Sequence, residues 1–441
     1  MGTAPPVRRA HLVAYGLPGL AFAALQLPLY ISLPTFYARD LGLGLAAVGA
    51  ILLAVRVFDV LTDPLLGYLS DHGLGRYGRR KPFIFLGLPL LMLSGWYLLV
   101  PPPSPGPGYL VVWSLGATFA ATAMQVAYQA WGAELSDQYH ERTRISAGRE
   151  AFVVLGTLVA IAVPAAAPGG LGEGLRLLAV GLLVLLPLTV SCLLLVVPEP
   201  EPLRARTPSA GRGWQTLAAN RPFRKLILAY FINGFANGLP ATLFLLYVER
   251  VLGLEGTRWT GLFVLLYLGT AMLSLPVWLA LSRRWGKHRT WSRSMLASCV
   301  AFLGAVLLGP GDVIWFAAVC VTTGVFCGAD LAIPPSIQAD VVDVDQARTG
   351  EGRAGLFFAL WSMATKLALA AAVGVAFPLL DWTAAEDGVP GRTAVVVLYA
   401  VLPIVLKLGA VAAMRGFDLD ARMQTELRRG IRASAATGDR R

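Results

Sequence analysis

The sequence predicts an all-α membrane protein with about twelve transmembrane helices in two pseudo-symmetric six-helix bundles, and three observations carry that prediction. Of its 441 residues, 56% are hydrophobic and 14% charged, against roughly 25% charged in an ordinary soluble domain. The apolar residues fall in long blocks of about 18 or more, the length that spans hydrocarbon. The lysines and arginines fall in alternate short connections between those blocks.

The blocks place helices at roughly 10–38, 42–70, 83–100, 109–136, 145–167 and 174–197, and then at roughly 223–252, 257–282, 292–309, 313–342, 354–379 and 394–414. Glycine and proline punctuate them. The clearest break is Pro101-Pro102-Pro103-Ser104-Pro105-Gly106-Pro107-Gly108. The stretch 198–222 is polar and carries Arg204, Arg206 and Arg212. It divides the chain into an N-terminal bundle (1–197), a central loop (198–222), a C-terminal bundle (223–414) and a basic tail (415–441), which is expected to fray after a short helix.

One set of alternate connections holds Arg8 and Arg9, Arg76 to Lys81, Arg142 to Arg149, the central loop, Arg283 to Arg293, Arg348 and Arg353, and the tail. The other set holds only Arg39, Arg176, Arg250, Arg258 and Arg392. The positive-inside rule then puts both termini and the central loop in the cytoplasm, as in a multi-pass protein of the cell inner membrane. No cleavable signal is expected at the N-terminus, because the first apolar block is too long. The net charge of +11 is a consequence of topology, so nucleic acid is not an expected partner. The cysteines (Cys192, Cys299, Cys320 and Cys327) fall within apolar blocks and read as reduced core residues. The histidines (His11, His72, His140 and His288) fall in predicted loops, so no metal site is expected.

A weak internal repeat supports the division into halves. Leu69-Ser70-Asp71-His72-Gly73-Leu74-Gly75-Arg76-Tyr77-Gly78-Arg79-Arg80-Lys81-Pro82 follows the second helix. Leu281-Ser282-Arg283-Arg284-Trp285-Gly286-Lys287-His288-Arg289 follows the eighth. A basic, glycine-containing connection at this place in each half resembles the major facilitator superfamily. That resemblance implies a solute site at mid-membrane between the halves.

Ionisable groups at membrane depth are costly and mark functional sites. The densest set is Arg56-Val57-Phe58-Asp59-Val60-Leu61-Thr62-Asp63-Pro64. Spacings of three and four put Arg56, Asp59 and Asp63 on one helical face. Two carboxylates and one guanidinium leave one negative charge to be balanced by a proton, a sodium-like ion or a lysine. The competing reading is a salt-bridge cluster that holds the second helix to a neighbour.

The motif Arg56-x-x-Asp59-x-x-x-Asp63-Pro64, with Gly67 and the 75–82 connection, resembles the melibiose-permease-like glycoside–pentoside–hexuronide:cation symporters. The similarity continues through Glu134-Leu135-Ser136-Asp137, Glu141 to Ser146, Asn233, Asn237, Ala339 to Asp343 and Lys366. It implies a cation site at Asp59, Asp63 and Thr122, with Lys366 and Arg56 in coupling. It also implies alternating access, no cofactor besides a coupling Na+ or H+, and a monomer in the bilayer. The sequence departs from that family at the sugar-binding acids, whose positions hold Ala23 and Gln125, and at a tryptophan position that holds Leu331.

The expected solute-facing residues are Gln26, Tyr30, Gln125, Tyr128, Gln129, Asn233, Asn237, Asp330 and Trp361. Asp330 either meets a cationic solute group or pairs with Lys366. Glu134, Arg142, Arg149, Asp340, Asp343 and Arg353 are expected as gate or strut salt bridges. Trp259, Trp285, Trp291 and Trp315 are expected as interfacial anchors. The function read from these residues is cation-coupled symport of a small organic solute, a glycoside or related sugar. The alternative is an amphiphile such as a lysolipid, because the vertebrate lysolipid symporters resemble the same family. No nucleophile with a base, P-loop or dinucleotide fingerprint points to an enzyme, and the connections are too short for a sensor's soluble domain.

Overall fold

A computed structural model describes residues 7–72, 78–199, 219–254, 257–383 and 391–437. Residues 200–218 of the expected central loop and 73–77 of the first basic connection lie outside the described residues. Among the described residues, twelve long helices run in chain order: α1 (Arg9–Thr35, continued by a π-turn Phe36–Asp40), α2 (Leu45–His72), α3 (Lys81–Leu99), α4 (Pro107–Glu134), α5 (Tyr139–Ala166), α6 (Gly170–Val196), α7 (Arg221–Arg250), α8 (Thr257–Trp285), α9 (Lys287–Val306), α10 (Val313–Thr349), α11 (Ala354–Trp382) and α12 (Arg392–Ala413). A tail helix α13 (Ala421–Thr437) follows. Ten of the twelve are long and apolar enough to cross a membrane on length and composition; α2 and α9 are the others. Charge accounts for both: α2 carries Arg56, Asp59 and Asp63 in its apolar stretch, and α9 opens on Lys287, His288 and Arg289.

The helix ends follow local chemistry. Pro107 opens α4, where its missing N–H costs nothing. Asn220 caps α7 by accepting from the Phe223 N–H at 3.1 Å. The apolar blocks underestimate several helices. α5 starts at Tyr139 instead of 145, α9 at Lys287 instead of 292, and α10 runs to Thr349 instead of 342. Hydropathy marks where hydrocarbon ends, whereas a helix continues as long as its side chains find packing. Tyr139, Glu141 and Arg142 are buried on the extra turn of α5. All four histidines consequently lie on helices and not in loops. The tail holds a 17-residue helix, with Gln424 and Ile431 buried.

The chain groups into two compact units. The first comprises residues 1–210 with 345–360 and 427–441, and the second 211–344 with 361–426. In the first unit α1 lies along α5 and α6, α2 packs on α4, and α3 packs on α4 and α6. Small residues permit the closest approaches, as expected where lipid supplies no hydrophobic drive between helices. A Cβ on Gly156 of α5 would run into the Leu20 carbonyl of α1. In the second unit α7 and α9 pack on α12, around an aromatic core of Tyr247, Phe263, Phe316 and Tyr399. Gly324 and Gly328 of α10 meet the Tyr267 and Ala271 carbonyls of α8, and Gly234 and Gly238 of α7 face Ala368 and Ala372 of α11.

Gly156→Val is expected to lower the stability of the folded protein by about 1–3 kcal/mol, the usual range for overpacking. Thermal unfolding in detergent checks this, with Gly181→Val as control, since nothing lies within 4 Å of a Cβ built there.

Candidate functional site

Close packing of α2 on α4 brings Asp59 against Thr122. Asp59 is 3% exposed. Its Oδ1 accepts the Thr122 hydroxyl at 2.8 Å, and its Oδ2 lies 3.5 Å from Arg56 Nη1. Asp63 follows one turn later and is fully buried. The Arg56 guanidinium carbon sits 4.6 Å from the Tyr30 ring centroid, and Nη1 donates to the Tyr30 hydroxyl at 3.4 Å. A carboxylate and a hydroxyl at hydrogen-bonding distance are both oxygen donors, the ligand type a hard cation takes.

A cleft of about 220 Å³ opens beside this group. Its polar lining is Gln26, Tyr30, Arg56, Asp59, Ser114 and Thr118, and the rest is leucine, valine and alanine from α1–α4. Of the residues expected to face solute, Gln26 and Tyr30 line this cleft. Gln125 and Gln129 are half-buried further along α4. Tyr128 does not line it. Tyr128 is 3% exposed; its hydroxyl donates to the Tyr15 carbonyl while the Tyr15 hydroxyl donates to the Tyr128 carbonyl at 3.0 Å. This reciprocal clamp ties α1 to α4, so the spacing that placed Tyr128 with Gln125 and Gln129 was no guide to where its ring packs.

A second polar group lies in the second unit. Asp330 of α10 accepts from Trp291 Nε1 (2.7 Å), Asn237 Nδ2 (2.9 Å) and Lys407 Nζ (3.4 Å). Lys407 Nζ also donates to Asn233 Oδ1 at 2.9 Å. The lysine that meets Asp330 is therefore Lys407 of α12 and not Lys366. Lys407 is 2% exposed, and no motif had singled it out; its charge inside an apolar block was the available signal. Trp291, expected as an interfacial anchor, is fully buried here because its indole N–H is needed by Asp330. Trp361 is buried and stacked on Tyr230, with ring centroids 3.5 Å apart. Lys366 is half-buried on α11.

The expected gate residues take part in several networks. In the first unit, Arg80 is fully buried and donates to Ser70 (2.7 Å), Asp71 (2.9 Å) and Glu134 (2.7 Å); Arg79 also meets Glu134. Asp71 additionally accepts the Gly355 and Leu356 N–H groups at 2.6 and 2.8 Å. It thereby satisfies donors that the start of α11 leaves without an intrahelical partner. Gly67 and Gly355 let the two backbones approach, since a Cβ at Gly67 would lie 2.7 Å from the Gly355 oxygen. Arg353 holds Asp345 through two bonds of 3.0 and 3.1 Å. Arg142 donates to the Ser136 carbonyl at 2.9 Å, and Arg149 pairs with its neighbour Glu150. In the second unit Lys287 pairs with Asp340 at 2.5 Å, and Asp343 accepts from Gln424 of α13. Asp71, the centre of the first network, was quoted in the repeat but not singled out; it lies one residue from the end of α2, where an acid gives no sequence signal of what it meets.

Comparison with known proteins agrees with this architecture. The profile of a family described as MFS/sugar transport protein matches residues 14–421, and the chain belongs to that family. It is a multi-pass membrane transporter of the major facilitator superfamily and not an enzyme. It is 24% identical to an uncharacterized symporter of Synechocystis sp., over 96% of each chain. It is 25% identical to the sodium-dependent lysophosphatidylcholine symporter 1 of Homo sapiens, over 87% of this chain and 78% of that one. Among solved structures, a bacterial homologue of the iron transporter ferroportin superposes with TM-score 0.70 at 16% identity (92% of this chain, 98% of that one). The E. coli fucose:proton symporter superposes with TM-score 0.64 at 15% identity (93% and 98%). These two likenesses concern the fold alone.

Asp71→Ala would leave a buried guanidinium and two backbone donors short of an acceptor. A destabilisation of about 3–5 kcal/mol is expected, as for breaking a buried pair, and thermal unfolding of the purified protein checks it.

Proposed function

We propose that this chain is a sodium-coupled symporter of an amphiphile with a phosphate-bearing headgroup, lysophospholipid-like in class, working by alternating access in the cell inner membrane with both termini cytoplasmic. The observation that carries the proposal is the lining of the α1–α4 cleft. It is aliphatic along most of its wall and has one guanidinium, Arg56, that is 30% exposed and held to Asp59 by a single 3.5 Å contact. Such a surface suits an acyl chain with an anionic group at one end. The positions where the melibiose-permease-like family carries sugar-binding acids hold Ala23, which is buried, and Gln125, which does not line the cleft. The sodium-dependent lysophosphatidylcholine symporters among the relatives support the same class.

Asp59 and Thr122 supply ion-ligand oxygens, with Asp63 adding charge one turn away. Sodium entry neutralises the carboxylates and releases Arg56 toward the solute's phosphate. Lys366 is the counter-cation when no ion is bound, a role that rests on the family resemblance. The Arg79–Arg80–Asp71–Glu134, Arg353–Asp345 and Lys287–Asp340 networks are the struts that break and re-form in each cycle. The second reading, sodium- or proton-coupled sugar symport, is favoured by the description of the family.

Proteoliposomes holding the purified protein decide between these readings. Uptake of labelled lysophosphatidylcholine is expected to rise with an inward sodium gradient, and a methyl-glycoside is expected not to accumulate. Glycoside accumulation without lysolipid uptake would establish the second reading. A response to a pH gradient alone would replace sodium by the proton. Asp59→Asn is expected to abolish concentrative uptake while the protein still inserts; full retention would make Asp59 structural. Arg56→Gln is expected to raise the KM for lysophosphatidylcholine about tenfold or more, the effect of losing one charge-assisted contact of about 1.5–3 kcal/mol.

A further inference from the structure

The corresponding connections of the two units treat their arginines in opposite ways. In the first unit Arg79 and Arg80 are consumed internally by Glu134 and Asp71, and the Arg79 and Arg80 N–H groups are taken by Glu199 at 2.7 and 2.6 Å. In the second unit α8 ends at Trp285 and α9 begins at Lys287, so the chain reverses at Gly286, whose φ of 82° favours glycine. Lys287 turns inward to Asp340. Arg283, Arg284, Arg289 and Arg293 remain exposed, and no carboxylate among the described residues pairs with them. The stretch 281–300 contains no acidic residue.

One of the four guanidinium groups, that of Arg293, sits over an aromatic ring. Trp285 is 40% exposed, and the Arg293 guanidinium carbon lies 4.6 Å from its ring centroid. The arginines also continue directly into an apolar surface. Arg289, Arg293, Leu296, Val300 and Leu303 recur at spacings of four and three along α9, with Leu307 next in the series just past its end, and all are exposed. One helix face thus presents two cations at its end and four aliphatic side chains below them. A soluble anion would use only the upper part of that face, whereas a phospholipid would use all of it.

We propose that the α8–α9 turn is a binding site for an anionic phospholipid. The headgroup phosphates lie on Arg283, Arg284, Arg289 and Arg293. Trp285 sits at the level of the glycerol backbone, and an acyl chain runs along Leu296, Val300 and Leu303. Uncompensated basic clusters at a membrane surface attract anionic lipid strongly enough for a several-fold enrichment. The α2–α3 connection lacks this capacity where it is described, because its arginines are already neutralised.

The test uses the full-length protein in vesicles of phosphatidylcholine containing brominated phosphatidylglycerol or brominated phosphatidylcholine at equal mole fraction. The fluorescence assigned to Trp285 is the difference between the wild type and Trp285→Phe. It is expected to be quenched at least about threefold more by the anionic lipid, a preference that falls as salt rises. The combined variant R283Q/R284Q/R289Q/R293Q is expected to lose the preference. Should it fail to insert, the corresponding four Arg→Lys changes keep the charge that sets topology while removing the planar guanidinium contacts, and the preference is expected to drop by about half or more. Equal quenching by the two lipids in the wild type would overturn the proposal, as would a preference unchanged in both variants. Loss of the preference on adding millimolar inorganic phosphate would identify the site as one for a soluble anion, and would also overturn it.

Discussion

A carboxylate buried in a membrane protein must be held by partners, and most of this architecture follows from how its acids are held. Asp59 takes a hydroxyl from α4 and a distant guanidinium from its own helix. Asp71 takes a guanidinium and two backbone N–H groups. Asp330 takes an indole, an amide and an ammonium group. Each acid ties together helices that are far apart in sequence. The cost of leaving any of them alone, several kcal/mol, specifies the pairing where the apolar surfaces alone are indifferent to it.

The three acids differ in the groups that hold them. Asp71 faces a fully buried arginine and the start of a helix, a saturated and directional set of donors. Asp330 shares one oxygen between Asn237 and Lys407 and gives the other to Trp291, which makes a hub for α7, α9, α10 and α12. Asp59 meets Arg56 at 3.5 Å, beside a cleft and with a second carboxylate one turn away.

Much of the outline was legible in sequence. Helix number and the α2 motif follow from block length, charge placement and three- and four-residue spacing. Tyr128 and Trp291 show where such reading stops. Tyr128 shares a helix face with Gln125 and Gln129, yet its hydroxyl closes a clamp with Tyr15. Trp291 has the composition of an interfacial anchor, yet its N–H is spent on Asp330. Periodicity places a side chain on a face but does not say what that face meets. Lys407 escaped notice for the same reason: its partners lie 77 and 174 positions away.

The amino-acid order by itself determined that the chain spans a membrane many times, where its charges gather and which helix carries the paired acids. These are one-dimensional properties of hydropathy and spacing. Only the folded structure decided that Thr122 meets Asp59, that Lys407 and not Lys366 meets Asp330, that Asp71 holds the start of α11, and that the arginines of the α8–α9 turn stay exposed. Hydrogen bonds and ion pairs act over a few ångströms in space, and helix packing sets those distances.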